Sequence, residues 1–343
     1  MTSGTGPVLN GPAPTVPADA ILSPVEWGAQ VWAPIHWEGL MGRAWMLGLM
    51  VLCMGAPAIA AKSHQLDHSV KDGRNDTTVQ FSWQLPGHDK DSVTAVVSTE
   101  EVDADKAIKR HLQVEDMFEV QAKAARQAVR SRKNVDATVK QGPTGVRVEV
   151  KGPPKAAQAA MEEAEAAMEA RQQQWLAEHQ VFELQPGVLS YDHAAVVVER
   201  THAVAPVAAA LREGTTTPRA FLSRTLGFTQ SIPYQKARRR SDSGFQRPLA
   251  LLARNKGDCD GKSTLFLSLV RAELPDVPLI MVYLPGHALV GLGITPEDGD
   301  RSFTVAGQTY VFAEPVGPGA LPLGQVAPTN IDALDQAFFR AVP

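Results

Sequence analysis

The sequence has little cysteine: only Cys53 and Cys259 occur among its 343 residues. Two cysteines cannot build the disulfide framework on which small secreted domains depend, so a hydrophobic core must stabilise the fold. If the segment around Cys53 is removed, Cys259 remains alone and no disulfide can form within the chain. The scattered histidines add no metal-ligand spacing. The sequence therefore predicts neither a metal site nor a cofactor.

The chain also lacks an excess of positive charge. It has 33 Lys and Arg against 37 Asp and Glu, a net charge of -4. Nucleic-acid binding needs clustered basic residues in excess to neutralise phosphates, so DNA and RNA are not expected partners. With 44% hydrophobic and 20% charged residues, the composition is that of a globular protein and excludes a disordered or fibrous one.

The first 40 residues contain no Lys or Arg and are rich in Pro and Gly. This composition predicts no packed element, so residues 1–40 are expected to be disordered or to lie upstream of the true start. An uncharged run, AWMLGLMVLCMGAPAIAA, then fills residues 44–61 between Arg43 and Lys62. Such a run predicts insertion into a membrane.

Residues 41–61 fit either a cleaved signal peptide or a signal anchor. The small side chains of Ala58, Ala60 and Ala61 favour cleavage after Ala60 or Ala61, because signal peptidase requires small residues there. The uncut run just reaches the length that spans a bilayer. We expect an exported protein, periplasmic or secreted, or alternatively one anchored in the inner membrane through residues 44–61 and facing the periplasm.

Residues 62–185 predict a smaller α+β module without an obvious chemical group, ending near Gln185-Pro186-Gly187. Its predicted elements are strands at 78–85 and 92–98, a helical region at 102–133 that breaks near Leu112, a hairpin at 136–152 and a helix reaching about residue 178. Residues 186–343 form the second predicted domain.

In this second domain the stretch GDCDGKS precedes apolar residues at helical spacing, which places Cys259 at or just before a helix N-terminus. The helix dipole and free backbone N–H groups there stabilise a thiolate and can hold an oxyanion. Asp258 and Asp260 oppose this by raising the thiol pKa, and are expected instead to cap the helix and fix the turn. The spacing between the glycines is one residue short for a phosphate-binding P-loop.

An imidazole and a carboxylate follow at strand boundaries. His287 opens a predicted strand after Pro285-Gly286, and Glu314 ends the predicted strand at 308–313. Thiol, imidazole and carboxylate supply the nucleophile, base and orienting group of a cysteine triad. Candidates for a side-chain oxyanion donor, beside the backbone N–H of Cys259, are Gln230 and Tyr234.

The stretches GDCDGKS, PGHALVGLGI and YVFAEPVGP, with the lead-in FTQSIPY, resemble the transglutaminase-like superfamily. The resemblance covers roughly residues 186–325. It implies a papain-type core, in which the helix bearing Cys259 packs on an antiparallel sheet. It also implies Cys259 as nucleophile, His287 as general base and Glu314 as orienting carboxylate, although many relatives have Asp in the third position. Exported bacterial members of the superfamily include cysteine proteinases.

The expected activity is acyl transfer through a thioester, most simply hydrolysis of a peptide or amide bond in a protein or peptide substrate. Two alternatives remain: a transglutaminase that cross-links proteins, and a binding module that keeps the fold without catalysis. Sequence patterns do not identify the substrate, because specificity depends on pocket shape and loops.

Overall fold

The computed structural model describes residues 63–108, 114–185, 188–235, 245–317 and 319–343. Within these ranges the chain is a mixed α+β protein whose sheets are antiparallel, which confirms the predicted class. The predictions for residues 1–40 and 41–61 lie outside the described residues.

The strands and helices are numbered in chain order. The strands are β1 (Gln65–Asp72), β2 (Asp76–Trp83), β3 (Asp91–Ser98), β4 (Asp136–Gly142), β5 (Gly145–Lys151), β6 (Val181–Gln185), β7 (Val188–Tyr191), β8 (Leu279–Leu284), β9 (His287–Leu292), β10 (Ser302–Val305), β11 (Gln308–Ala313) and β12 (Phe338–Val342). The helices are α1 (Thr99–Ala107), α2 (Val114–Val129), α3 (Pro154–Glu178), α4 (His193–Arg212), α5 (Pro218–Ser231), α6 (Pro248–Arg254), α7 (Cys259–Glu273) and α8 (Pro328–Ile331).

The first sheet has the order β1-β2-β3. In β3 burial alternates, with Val93, Ala95 and Val97 inside, as a strand with one face on a core requires. The sequence predicted β2 and β3 but missed β1, because no residue of β1 is fully buried and its apolar residues do not alternate.

This sheet shares a core with the C-terminal half of the chain. The Phe81 ring meets the Phe228 ring of α5 edge-on at 5.1 Å, and Trp83 packs against the same ring at 5.5 Å. One hydrophobic cluster contains these residues together with apolar residues of α7 and the second sheet. The boundary predicted near residue 185 therefore does not separate two cores.

Helices α2 and α3 and the β4–β5 hairpin form a separate unit, residues 114–178, which we call the arm. Ala125, Val129, Ala160 and Ala164 are buried between the two helices, and the hairpin packs its apolar side on them. At the other end of the arm a second cluster, including Met117 and Trp175, rests on β6 and β7. The hairpin and the long helix follow the sequence predictions closely.

The second sheet has the order β10-β11-β9-β8-β12. Every residue of β8 is buried, because α-helices and loops cover both of its faces. Helix α7 lies against β9 on one side and α4 on the other. The start of α7 and the start of β9 are thereby brought to the same end of the domain.

Among the described residues one helix, His193–Arg212, is long and apolar enough to cross a membrane. Half of its apolar window is buried inside the structure.

Candidate active site

Cys259 is the first residue of α7, as its surroundings in the sequence predicted. Asp258 caps the helix, and its Oδ1 accepts a hydrogen bond from the Gly261 backbone N–H at 3.0 Å. The thiol thus lies where the unpaired N–H groups and the positive end of the helix dipole converge.

Two glycines allow this turn to pack closely. A Cβ atom at Gly257 would come within 2.4 Å of Leu251 Cδ1, and one at Gly261 within 3.1 Å of the capping Asp258 Oδ1. The backbone around Cys259 therefore approaches α6 more closely than a larger residue would permit.

His287 and Glu314 are in direct contact. His287 begins β9, Glu314 directly follows β11, and His287 Nε2 lies 3.0 Å from Glu314 Oε1. The carboxylate also accepts hydrogen bonds from Asn330 Nδ2 at 2.9 Å and from the Ala327 backbone N–H at 2.8 Å. These bonds fix the carboxylate and, through it, the imidazole. No local pattern in the sequence points to Asn330.

The thiol of Cys259 lies beside the residue that follows His287. A hydrogen bond from the Ala288 backbone N–H lowers the pKa of Cys259, but burial and the two neighbouring aspartates raise it by more. Ser263 Oγ, one turn further along α7, donates to the Ala288 carbonyl at 3.4 Å. The predicted nucleophile and the predicted base are therefore carried by adjoining backbone segments.

Burial is the largest cause that raises the pKa of Cys259 well above its usual value, followed by the charges of Asp260 and Asp258. The thiol also donates a hydrogen bond to Asp260 Oδ1 at 3.5 Å, which further stabilises the protonated form. In this arrangement the thiol is protonated at neutral pH, in line with the predicted effect of the two aspartates.

Gln230 does not have the role proposed for it from the sequence. Its Nε2 donates to the Glu314 carbonyl at 3.0 Å and to the Leu321 carbonyl at 2.8 Å, so both amide hydrogens are already engaged. A Cβ at Gly317 would lie only 2.1 Å from the Gln230 carbonyl oxygen. Gln230 therefore anchors the segment that carries Glu314 and has no hydrogen left for an oxyanion.

Tyr234 lies next to the Cys259 turn. Its backbone forms a parallel bridge with Gly257, two residues before the cysteine, and its side chain is 47% exposed. The Gln235 N–H donates to the Gly257 carbonyl at 2.8 Å and extends this contact. Tyr234 thus borders the site, while its role as an oxyanion donor stays a prediction.

Lys262 was not among the predicted site residues and is fully buried beneath the site. Its Nζ donates to the Ile232 carbonyl at 2.8 Å and the Gln230 carbonyl at 3.4 Å, at the C-terminal end of α5. Burial lowers its pKa from 10.5 to about 7. The signal was present in GDCDGKS, since a Lys three residues after Cys259 points into the domain when the helix starts at the cysteine.

A second buried imidazole lies near Asp260. His193 Nδ1 is 2.8 Å from the Tyr283 hydroxyl, and burial lowers the His193 pKa while the charge of Asp260 partly offsets this. Burial raises the pKa of the Tyr283 hydroxyl, and the negative charge of Asp260 raises it further. Because His193 begins α4, far away in the sequence, only the fold brings it towards the Cys259 turn.

In the described part of the chain, no group of three or more His, Cys, Asp or Glu side chains is arranged to hold a metal ion. Comparison with protein families, curated proteins and solved structures finds no match for this chain.

Proposed function

We propose that the protein is a transglutaminase-like cysteine enzyme that transfers acyl groups through a thioester. The observation that carries the proposal is the His287–Glu314 hydrogen bond of 3.0 Å, one residue before the Ala288 N–H that bonds to the Cys259 thiol at a helix N-terminus. A base oriented by a carboxylate beside a nucleophile is the arrangement that cysteine catalysis needs.

The architecture supports the same proposal. A helix that starts at the cysteine packs on an antiparallel strand that starts at the histidine, and the adjacent strand leads into the carboxylate. This is the order of parts expected for a papain-type or transglutaminase-like core. On this basis we propose that fold for the C-terminal part of the chain.

In the proposed mechanism His287 removes the proton from Cys259. Because Nε2 is bonded to Glu314, Nδ1 is the ring nitrogen that accepts it. The thiolate sulfur attacks the carbonyl carbon of the substrate, and the oxyanion is held by the Cys259 backbone N–H at the helix end. The imidazolium then protonates the leaving amine as the C–N bond breaks, which leaves a thioester.

A water molecule completes the reaction. Neutral His287 takes a proton from the water, the resulting hydroxide attacks the thioester carbonyl, and the acid product leaves as the thiol regains its proton. The proposed substrate is a protein or peptide, and the reaction is hydrolysis of a peptide or amide bond. A cross-linking transglutaminase follows the same steps with an amine in place of water.

One observation favours a second candidate, a binding module without catalysis. Burial and two aspartates raise the pKa of Cys259, whereas a reactive cysteine commonly has a lowered one. The difference between the two candidates lies in whether His287 activates the thiol.

Alkylation of the purified full-length chain by iodoacetamide at neutral pH distinguishes them, with Cys53 and Cys259 followed separately by mass spectrometry of their peptides. An activated pair predicts that His287→Ala slows alkylation of Cys259 by about 10-fold or more, because the proton acceptor is lost. His202→Ala, which removes an exposed histidine on α4, is the matched control and should leave the rate unchanged. Equal rates in all three proteins would favour the binding module.

Turnover of a dye-labelled casein tests the catalytic roles directly. Cys259→Ala and His287→Ala should abolish cleavage, while Glu314→Gln should reduce it about 10- to 1,000-fold, since only orientation and charge support are lost. Cleavage by Cys259→Ala at the rate of the unmodified chain would rule out the enzyme. Unchanged cleavage by Glu314→Gln would show only that another residue orients His287.

A further inference from the structure

Charge is unevenly distributed over the arm. Residues 120–135 contain five basic side chains and no acidic one, whereas the acids of the arm lie near the start of α2, along the hairpin and on α3. Of the five, only Arg132 forms an ion pair within the described residues, with Glu163. Arg126, Arg130 and Lys133 are exposed and form no ion pair there. The end of α2 therefore presents a localised positive surface on a unit whose net charge is zero.

A groove of about 560 Å³ lies beside these arginines. One wall is the end of α2 and the following turn, with Arg126, Arg130 and Arg132, and the other is the strand segment from Val135 to Val139. The apolar side chains at its base belong to the small core of the arm. Positive charge and an extended backbone thus line the same depression.

The strand that borders this groove has a free edge. In the described structure β4 pairs only with β5, so its other edge has no strand partner. The Val139 carbonyl points towards that edge, because Arg126 Nη2 donates to it at 3.5 Å. In an antiparallel strand alternate residues turn their N–H and C=O groups to the same side, so Ala137 also directs its backbone groups to the groove.

We infer that the groove binds an extended, acidic protein segment as an added strand on β4. The backbone groups along this edge select an extended chain, because only such a chain can continue the hydrogen-bond ladder. Its N–H opposite Val139 replaces the long Arg126 bond to that carbonyl and leaves the guanidinium for a carboxylate. Because side chains of a strand alternate, every second residue of the segment faces α2, where a carboxylate meets Arg126 or Arg130. A segment with acids at alternate positions is the best match. This interaction does not depend on the proposed chemistry at Cys259.

The probe is a fluorescein-labelled peptide, Glu-Val-Glu-Val-Glu-Val-Glu, whose binding to the full-length chain is followed by fluorescence anisotropy. We expect saturable binding that weakens as salt increases, since the charged contacts are exposed. The Arg126→Glu/Arg130→Glu double variant should bind about 10-fold or more weakly. Its matched control, Lys71→Glu/Arg74→Glu, makes the same charge change at exposed sites near the β1–β2 turn and should lose at most about twofold.

A second probe tests the added strand. The same peptide methylated on alternate backbone nitrogens keeps its charges but cannot pair with the edge, and should bind about 10-fold or more weakly than its parent. Equal binding of the two peptides, or no binding at millimolar concentration, would overturn the inference. So would Arg126- and Arg130-dependent binding to vesicles containing phosphatidylserine without binding of the peptide. Cys259→Ala should bind the peptide normally, so loss of catalysis and loss of this site are distinguishable.

Discussion

At the level of single residues, the thiol of Cys259 is under opposing influences. The helix N-terminus and the Ala288 N–H favour the thiolate, while burial and Asp260 favour the thiol. The net effect is a raised pKa, so the ionised form must be produced by transfer of the proton to a base. The sequence already indicated the conflict, because both aspartates flank the cysteine. Which influence prevails depends on burial, which the sequence pattern does not give.

Asp260→Asn should make Cys259 more reactive. The change removes the nearest negative charge and leaves only a weaker, neutral acceptor for the thiol hydrogen, so the pKa of Cys259 should fall and its alkylation rate at each pH below that pKa should rise by about 10-fold. The iodoacetamide rate at Cys259, measured from about pH 6 to 10, reports this. Asp276→Asn neutralises an exposed acid beyond the other end of α7 and should not move the profile. An unchanged or lower rate in Asp260→Asn would contradict the assigned cause.

At the level of elements, Lys262 joins α7 to the end of α5. Helix ends leave carbonyl groups without partners, and the Lys262 ammonium satisfies two of them in a buried position. This contact, together with the Gln230 bonds to the Glu314 segment, connects the Cys259 helix with the Glu314 loop. The sequence predicted the helix that begins at Cys259 from its periodicity, but not that a lysine would connect it to α5.

Lys262→Met should change how stability depends on pH. The pKa of Lys262 is about 7 in the folded protein and near 10.5 when unfolded, so the unfolded chain binds more protons between these values. Lys262 therefore imposes a cost that is fully present below about pH 7 and disappears as the pH approaches about 10.5.

The free energy of unfolding, measured with urea at several pH values across that window, should rise less steeply in Lys262→Met than in the unmodified chain. Lys155→Met, at an exposed position on α3, should keep the original slope. Identical slopes in all three proteins would mean that Lys262 keeps an ordinary pKa in the folded state.

At the scale of the whole molecule, one core spans both predicted domains. Phe81 and Trp83 cover Phe228, so residues 186–343 expressed alone would expose this ring and the helices around it. We expect that fragment to unfold without a cooperative urea transition, because it lacks the sheet that completes its core. Residues 62–343 should unfold cooperatively under the same conditions. A cooperative transition of similar midpoint in both proteins would show that residues 186–343 fold on their own, as the boundary predicted near residue 185 requires.

Export is a property of the whole chain that the sequence alone predicts. Cleavage after Ala60 or Ala61 would give a mature N-terminus at Ala61 or Lys62. N-terminal sequencing of the protein recovered from its native cells identifies the first residue of the mature chain. Recovery of the uncut chain in the membrane fraction would support the anchor instead.

The sequence by itself determined the local features: the helix that starts at Cys259, the strands that begin at His287 and end before Glu314, and the arm hairpin. Each depends on residues close together in the chain, through capping, periodicity and turn geometry. The tertiary structure decided what distant residues do. Only in the folded chain does Gln230 donate to the Glu314 carbonyl, Lys262 lie buried against the end of α5, and the Phe81 ring pack on Phe228. Such contacts link residues tens to hundreds of positions apart, and no local pattern encodes which of the many compatible pairings packs best.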